Sequence, residues 1–298
     1  MPEIYKTTYH NSLLLKLEDI SANLEGKSRS YFRLFHINRI EDFRQFLNIK
    51  QPPYRKSVTD FILLTQGTST RTKGLDKCEL SANTFFCVPA YQIRTVEAIS
   101  EDVKGFFCHF DTEIFKKSFI QDDILKQFPF LQYIGTPLVH IPDAAMPSII
   151  NLCERLEKEY KNENPNDFNL FSTYLLALFF ELNRCIGSTT SPKDTAALLT
   201  QRYKDALMQH IYDIHTVADF AAHLAVSQTY LNRCLQATIG KNAHDLLNDM
   251  LLLEAKSLLK QTDLSISEIA YKIGKKDHSD FSRFFKTHTG MTPKEFRK

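Results

Sequence analysis

The 298-residue sequence is short of the features that mark exported, membrane-bound or metal-dependent proteins. It has no run of about 18 apolar residues, which excludes a membrane-spanning helix on sequence grounds. The mixed polar stretch after Met1 lacks the apolar segment of a signal peptide. A cytoplasmic protein with no membrane partner is expected. Its 6 cysteines form no CxxC pair and no regular spacing, which predicts buried, reduced thiols rather than disulfides or a metal cluster. The first half contains only His10, His36, His109 and His140, and no two stand in the close His-x-His pair that supplies two metal ligands. No metal, no cofactor and no catalytic residue is therefore expected, and the chain does not read as an enzyme. Charge of one sign is scarce too, with a net of +2. The excess is uneven: Ala196–Lys298 holds 14 Lys and Arg against 11 Asp and Glu, and the remainder is slightly acidic. What is present is an ordinary globular composition, 43% hydrophobic and 24% charged, long enough for two domains with a core each.

The segment from Thr216 to Lys298 contains one local design twice. In the first copy Val217, Phe220, Ala221 and Leu224 fall at i, i+3, i+4 and i+7, followed by a break at Ala225-Val226 and a second short helix opened by Ser227. In the second copy the helix around Ile266–Ile273 ends at Gly274, Lys275-Lys276 form the break, and Asp277 opens the next helix. Small Ala221 and Ala270 stand where two short helices cross closely, and Gly274 takes a left-handed backbone without cost. Ser227 and Asp277 are N-cap residues. Tyr230, Leu231, Cys234 and Leu235 form the inner face of one second helix, and Phe281, Phe284 and Phe285 that of the other. This is the helix-turn-helix order, in which the second helix enters a DNA major groove. A connecting helix over Ala243 to Lys260, with a stripe of Leu246, Leu247, Met250, Leu253 and Leu258, spans about 27 Å at 1.5 Å per residue. Such a rod holds two recognition helices near one DNA turn apart, about 34 Å. Thr292-Pro293-Lys294-Glu295 is a capping box for a last short helix.

The run Ala255-Lys256-Ser257-Leu258-Leu259, then Leu264–Gly274, Phe281–Lys286 and Gly290–Arg297 resembles the AraC/XylS family of bacterial transcription regulators. Leu251 departs from that family's pattern, standing where a basic residue is usual. Lys275 departs from it as well, putting a positive charge where a phenylalanine usually follows the glycine. The polar sides of the two recognition helices offer Gln228, Thr229, Asn232 and Arg233, and His278, Ser279, Ser282 and Arg283. The resemblance implies that these outward positions touch bases, where arginine pairs with guanine and asparagine with adenine. Ser227, Lys241, Lys275, Lys276 and Lys286 are the expected phosphate contacts. The expected partner is double-stranded DNA, with RNA polymerase, a small-molecule effector and a second copy of the chain as further partners.

The residues up to about Phe110 read as short strands: Leu13–Leu17, Tyr31–Ile37, Phe61–Leu64, Cys78–Leu80, Phe85–Pro89 and Gly105–Phe110. Close spacing implies an antiparallel barrel or double sheet, and the pattern from Ile62 to Pro89 resembles, more loosely, a small cupin barrel. The fold class expected is α+β: residues 1–135 a cupin-like sensor barrel, 136–187 a helical pair suited to dimerisation, 188–195 a linker, and 196–298 an all-α double helix-turn-helix domain. Phe32, Phe61, Phe85, Phe107 and Tyr91 read as core before ligand contacts, and Arg33, Arg71 and Arg94 as solvated charges, so no effector residue is assigned. Helix Pro165–Cys185 is apolar over more than one face and needs cover on several sides. The function expected is a sequence-specific DNA-binding regulator whose N-terminal half senses a small molecule or dimerises. The alternatives are a cupin-type enzyme with a DNA-binding appendage and a constitutive DNA-binding protein on a scaffold barrel.

Overall fold

The computed structural model describes residues 32–43, 52–116, 122–133, 135–161, 168–186 and 194–298. The chain divides into two compact units, whose largest stretches are Arg55–Thr189 and Thr190–Lys298. The strand expected at Leu13–Leu17 lies outside the described residues, as does the linker expected at 188–195, apart from its last two residues.

The N-terminal unit is built on eight strands, β1 (Phe35–Arg39), β2 (Thr59–Gln66), β3 (Ser69–Lys73), β4 (Asp76–Leu80), β5 (Thr84–Val88), β6 (Arg94–Ile99), β7 (Lys104–Phe110) and β8 (Leu138–His140). All pairings are antiparallel. They form two sheets, β1-β7-β2-β5-β8 and β4-β3-β6. The expected barrel is thus corrected to a double sheet: among the described residues no ladder joins the two, and the barrel does not close. The reason lies in the strands. β2 and β5 carry buried side chains on both faces, which needs cover on each side. One face, with Phe61, Leu63, Phe85, Cys87, Phe106 and Cys108, packs under helices α1 (Met146–Lys161) and α2 (Phe168–Cys185). The other, with Ile62, Leu64, Phe86 and Val88, meets Leu80, Cys78 and Ile99 of the small sheet.

At one end of this second layer apolar residues give way to buried polar ones. Register places His36, His109 and Asp60 side by side across β1, β7 and β2. His36 Nε2 is 2.8 Å from Asn38 Oδ1 and its Nδ1 is 2.8 Å from Tyr160 Oη, while His109 Nε2 lies 2.7 Å from the Phe32 carbonyl. Burial, with Lys56 nearby, pushes His109 down to about 3, so it is neutral at physiological pH. Strand pairing therefore brings together two histidines that sequence spacing kept apart; both His36 nitrogens and His109 Nε2 have internal partners, whereas the buried His109 Nδ1 has none among the described residues. Arg94 is corrected from a solvated charge: it is buried, ion-paired with Asp60 and bonded to the Pro89 and Gln92 carbonyls. Burial raises the Asp60 carboxyl, yet Arg94 and Lys56 outweigh that and hold it below its ordinary value. None of the six cysteines is in a disulfide, and burial pushes the Cys87, Cys108 and Cys153 thiols well up.

Residues 194–298 of the C-terminal unit form helices: α3 (Thr195–His210), α4 (Val217–His223), α5 (Gln228–Ile239), α6 (Ala243–Gln261), α7 (Ile266–Lys272), α8 (His278–Thr289) and α9 (Pro293–Arg297). Each helix is capped by the residue before it: Asp194, Thr216, Ser227, Asn242, Ser265, Asp277 and Thr292 each accept a backbone N–H of the first turn. Capping boxes close Ser265 with Glu268 and Thr292 with Glu295. Leu251, where a basic residue is usual in the resembled family, is 4% exposed and packs with Met250 and Ala255 as part of α6's buried surface.

Candidate nucleic-acid interface

The two copies superimpose hydrogen bond for hydrogen bond at their turns. After α4, Ala225 donates to the Ala222 carbonyl and Val226 to the Ala221 carbonyl, each at 3.0 Å. After α7, Gly274 donates to Tyr271 at 3.0 Å and Lys275 to Ala270 at 2.9 Å. The left-handed residue is Gly274 at φ +72° in one copy and Ala225 at φ +57° in the other. Each recognition helix then buries one face, Leu231, Cys234 and Leu235 on α5 and Phe281 and Phe285 on α8. Both helices end on left-handed glycines, Gly240 and Gly290, followed by a capped helix start.

With the inner faces fixed, the outer faces follow. Gln228, Thr229 and Arg233 are exposed on α5, and His278, Ser279 and Arg283 on α8. Thr229 and Arg233, like Ser279 and Arg283, are four residues apart and share a helix face. The Arg233 guanidinium lies 5.2 Å from the centre of the Tyr230 ring. Tyr230, expected inside, is half-buried and supports the arginine from below; its position three residues earlier was the signal for this.

Asn232 has a different task from the one its sequence position suggested. It is half-buried, and its Oδ1 accepts the Ala243 N–H at 2.8 Å, tying α5 to the start of α6. A bidentate adenine contact needs that oxygen. Ser282 is the matching residue on α8, and the counterpart of Ala243 is Pro293, which has no N–H to satisfy. The repeat therefore pairs an asparagine with a backbone donor and a serine with a proline. We expect Asn232→Ala to lower stability by about 1–3 kcal/mol, the cost of leaving a buried N–H without its acceptor. Ser282→Ala should be near neutral, and urea unfolding of the two variants checks both.

The expected phosphate contacts divide in the same way. Lys241 is engaged with Asp249 at 2.6 Å. Lys275 lies 4.0 Å from the centre of the Phe284 ring, and burial lowers its pKa while Asp280 partly offsets the shift. It thereby fills by its stem and charge the place of the usual phenylalanine. Lys276 and Lys286 are exposed. Ser227 is exposed at the neutral N-terminus of α5, where a phosphate would meet the positive end of the helix. The same point on α8 is taken by Asp277, whose carboxyl is held below its usual range by the Asp280 and Ser279 backbone N–H groups.

Comparison with known proteins agrees with this architecture. The family described as a helix-turn-helix domain matches residues 220–298, which include the second copy and all but the first residues of the first. An uncharacterized HTH-type transcriptional regulator, YisR of Bacillus subtilis (strain 168), is 27% identical over 253 residues, covering 81% of this chain and 86% of that protein. The arabinose operon regulatory protein of Salmonella typhimurium (strain LT2) is 31% identical over 103 residues, 33% of this chain and 37% of that one. Among solved structures, the C-terminal domain of AraT, a response regulator from Geobacillus stearothermophilus, is 30% identical, with a TM-score of 0.32, over 37% of this chain and 87% of that one.

Proposed function

We propose that the chain is a DNA-binding regulator of transcription with an AraC/XylS-type helix-turn-helix domain at its C-terminus, and that one subunit reads two successive major grooves through α5 and α8. The matched exposure of Arg233 and Arg283 at the same place in two capped, internally packed helices carries this reading. Gln228, Thr229 and Arg233, with His278, Ser279, Ser282 and Arg283, are the base-facing set. Ser227, Lys276 and Lys286 grip phosphates. Asn232, Lys241 and Lys275 serve the domain's own structure. Selecting duplexes from a random pool with the full chain, followed by hydroxyl-radical footprinting, tests the reading. Two protected patches about 10 base pairs apart on one face are expected, and a single patch would overturn it.

The N-terminal unit, in our reading, is a regulatory body rather than a catalyst, because both His36 nitrogens, His109 Nε2 and the Asp60 carboxylate are committed to internal partners. We assign it dimerisation, through the face of α2 that leaves Phe180 40% exposed on a largely apolar helix. The chain is then a homodimer at micromolar concentration by light scattering, and Phe180→Asp yields monomer. A small-molecule effector acting on this unit would shift the thermal midpoint of the full chain and alter its affinity for the selected duplex. Bound at a promoter, the protein would meet RNA polymerase. Among the described residues no helix is long and apolar enough to cross a membrane, and a cytoplasmic location fits both the DNA partner and the six free thiols.

A further inference from the structure

Three side chains from three separate places meet inside the C-terminal unit. Tyr212 lies in the loop between α3 and α4, Glu254 in the middle of α6, and Lys272 at the end of α7. Glu254 is fully buried, on a helix that also buries Leu247, Met250 and Leu258. The Tyr212 hydroxyl donates to Glu254 Oε2 at 2.7 Å, and Lys272 Nζ lies 4.6 Å from the centre of the Tyr212 ring. Burial lowers the pKa of the Lys272 ammonium, and the Glu254 and Asp213 carboxylates offset part of that shift. The same loop makes a second contact: a Cβ on Gly274 would come within 2.4 Å of the His215 imidazole Cγ. Tyr212 and His215 lead directly into the first helix-turn-helix copy. Lys272 and Gly274 end the first helix of the second copy and form its turn.

A connecting helix that served only as a spacer would bury apolar residues throughout. Burying a carboxylate costs several kcal/mol in lost hydration unless partners replace it, and removing one partner is strongly destabilising. Apolar contacts tolerate sliding and rotation, whereas a buried carboxylate held by Tyr212, just before the first copy, with Lys272 of the second copy against the Tyr212 ring, tolerates one arrangement. The joints of α6, at Gly240-Lys241-Asn242 before it and Thr262–Ser265 after it, are short non-helical segments about which each copy could turn on the rod.

We infer that Glu254 is a positioning residue: with Tyr212 and Lys272 it locks the two helix-turn-helix copies together, fixing the separation and angle of α5 and α8 before DNA is met. The lock thereby sets which half-site spacing a subunit accepts, a consequence that rests on the DNA-reading proposed above. One inserted base pair moves a half-site along the duplex by about 3.4 Å and turns it by about 35°, beyond what a locked pair can follow.

Two measurements on the full chain test the lock. In the free protein, backbone N–H residual dipolar couplings from α4–α5 and α7–α8 should fit a single alignment tensor. In Tyr212→Phe, Glu254→Gln and Lys272→Met they should require two. Against the selected duplex and the same duplex with one base pair inserted between half-sites, the unaltered chain should discriminate by at least about tenfold, a difference of about 1.4 kcal/mol. The variants should fall to within about threefold, with affinity for a single half-site unchanged. A single tensor in every variant that remains folded overturns the inference. So does unchanged spacing discrimination in variants whose copies have come apart. Failure of the unaltered chain to bind any selected duplex would instead remove the DNA-reading proposal, and the dipolar couplings would still decide the lock.

Discussion

Arg233→Ala and Arg283→Ala should each cut the preference for the selected duplex over random DNA by about 1–3 kcal/mol, the value of one good bidentate base pair contact. That is roughly five- to 150-fold, read by competition titration at fixed salt. Both arginines are exposed and neither is in the core, so the unfolding midpoint should not move. Lys276→Ala gives the contrasting signature: a similar loss on every sequence and a salt slope shallower by about 1. If an arginine variant lost affinity equally on specific and random DNA, its side chain would be touching phosphate alone. Asn232→Ala provides the internal control, since its side chain is spent on the Ala243 N–H. Its discrimination should survive once binding is corrected for the folded fraction.

Gly274→Ala is expected to be among the most damaging single-methyl changes in the C-terminal unit, and Ala225→Gly, at the same point of the other copy, to be stabilising. Both positions are left-handed, where a side chain costs roughly 1–2 kcal/mol. At Gly274 the added methyl would also meet the His215 ring at 2.4 Å, and such overpacking typically costs about 1–3 kcal/mol more. Gly274→Ala should therefore lose roughly 2–5 kcal/mol. Ala225→Gly releases the strain at φ +57° and should gain about 1 kcal/mol, reduced by the greater freedom of glycine in the unfolded chain. Urea unfolding followed by far-ultraviolet circular dichroism separates the two; equal effects of the same sign would mean that the turns are not equivalent.

The double helix-turn-helix was legible because its signals are local. Apolar spacing, N-caps and C-terminal glycines are set by residues a few positions apart, and they placed the starts of α4 to α9 within a residue. The exposed arginines followed from the same periodicity, since a helix with one face buried must present the other. The N-terminal half was less legible, because strand pairing joins residues far apart in sequence. Closure of a barrel is decided by which edges meet, and neither alternation nor turn residues specify that for β3, β4 and β6. Arg94 illustrates the limit: as a residue it reads as a solvated charge, and only the fold brings Asp60 against it.

The sequence by itself determined that this chain carries two capped, glycine-ended helix pairs with a basic, polar outer face, because short-range spacing fixes which side of a helix is inside. Tertiary structure alone decided which of these polar residues have partners inside the domain: Asn232 accepts the Ala243 N–H, Lys241 pairs with Asp249 and Lys275 lies over the Phe284 ring. It alone also placed Tyr212, Glu254 and Lys272 together, since contacts between residues 18 to 60 positions apart depend on how the copies pack and leave no trace in local spacing.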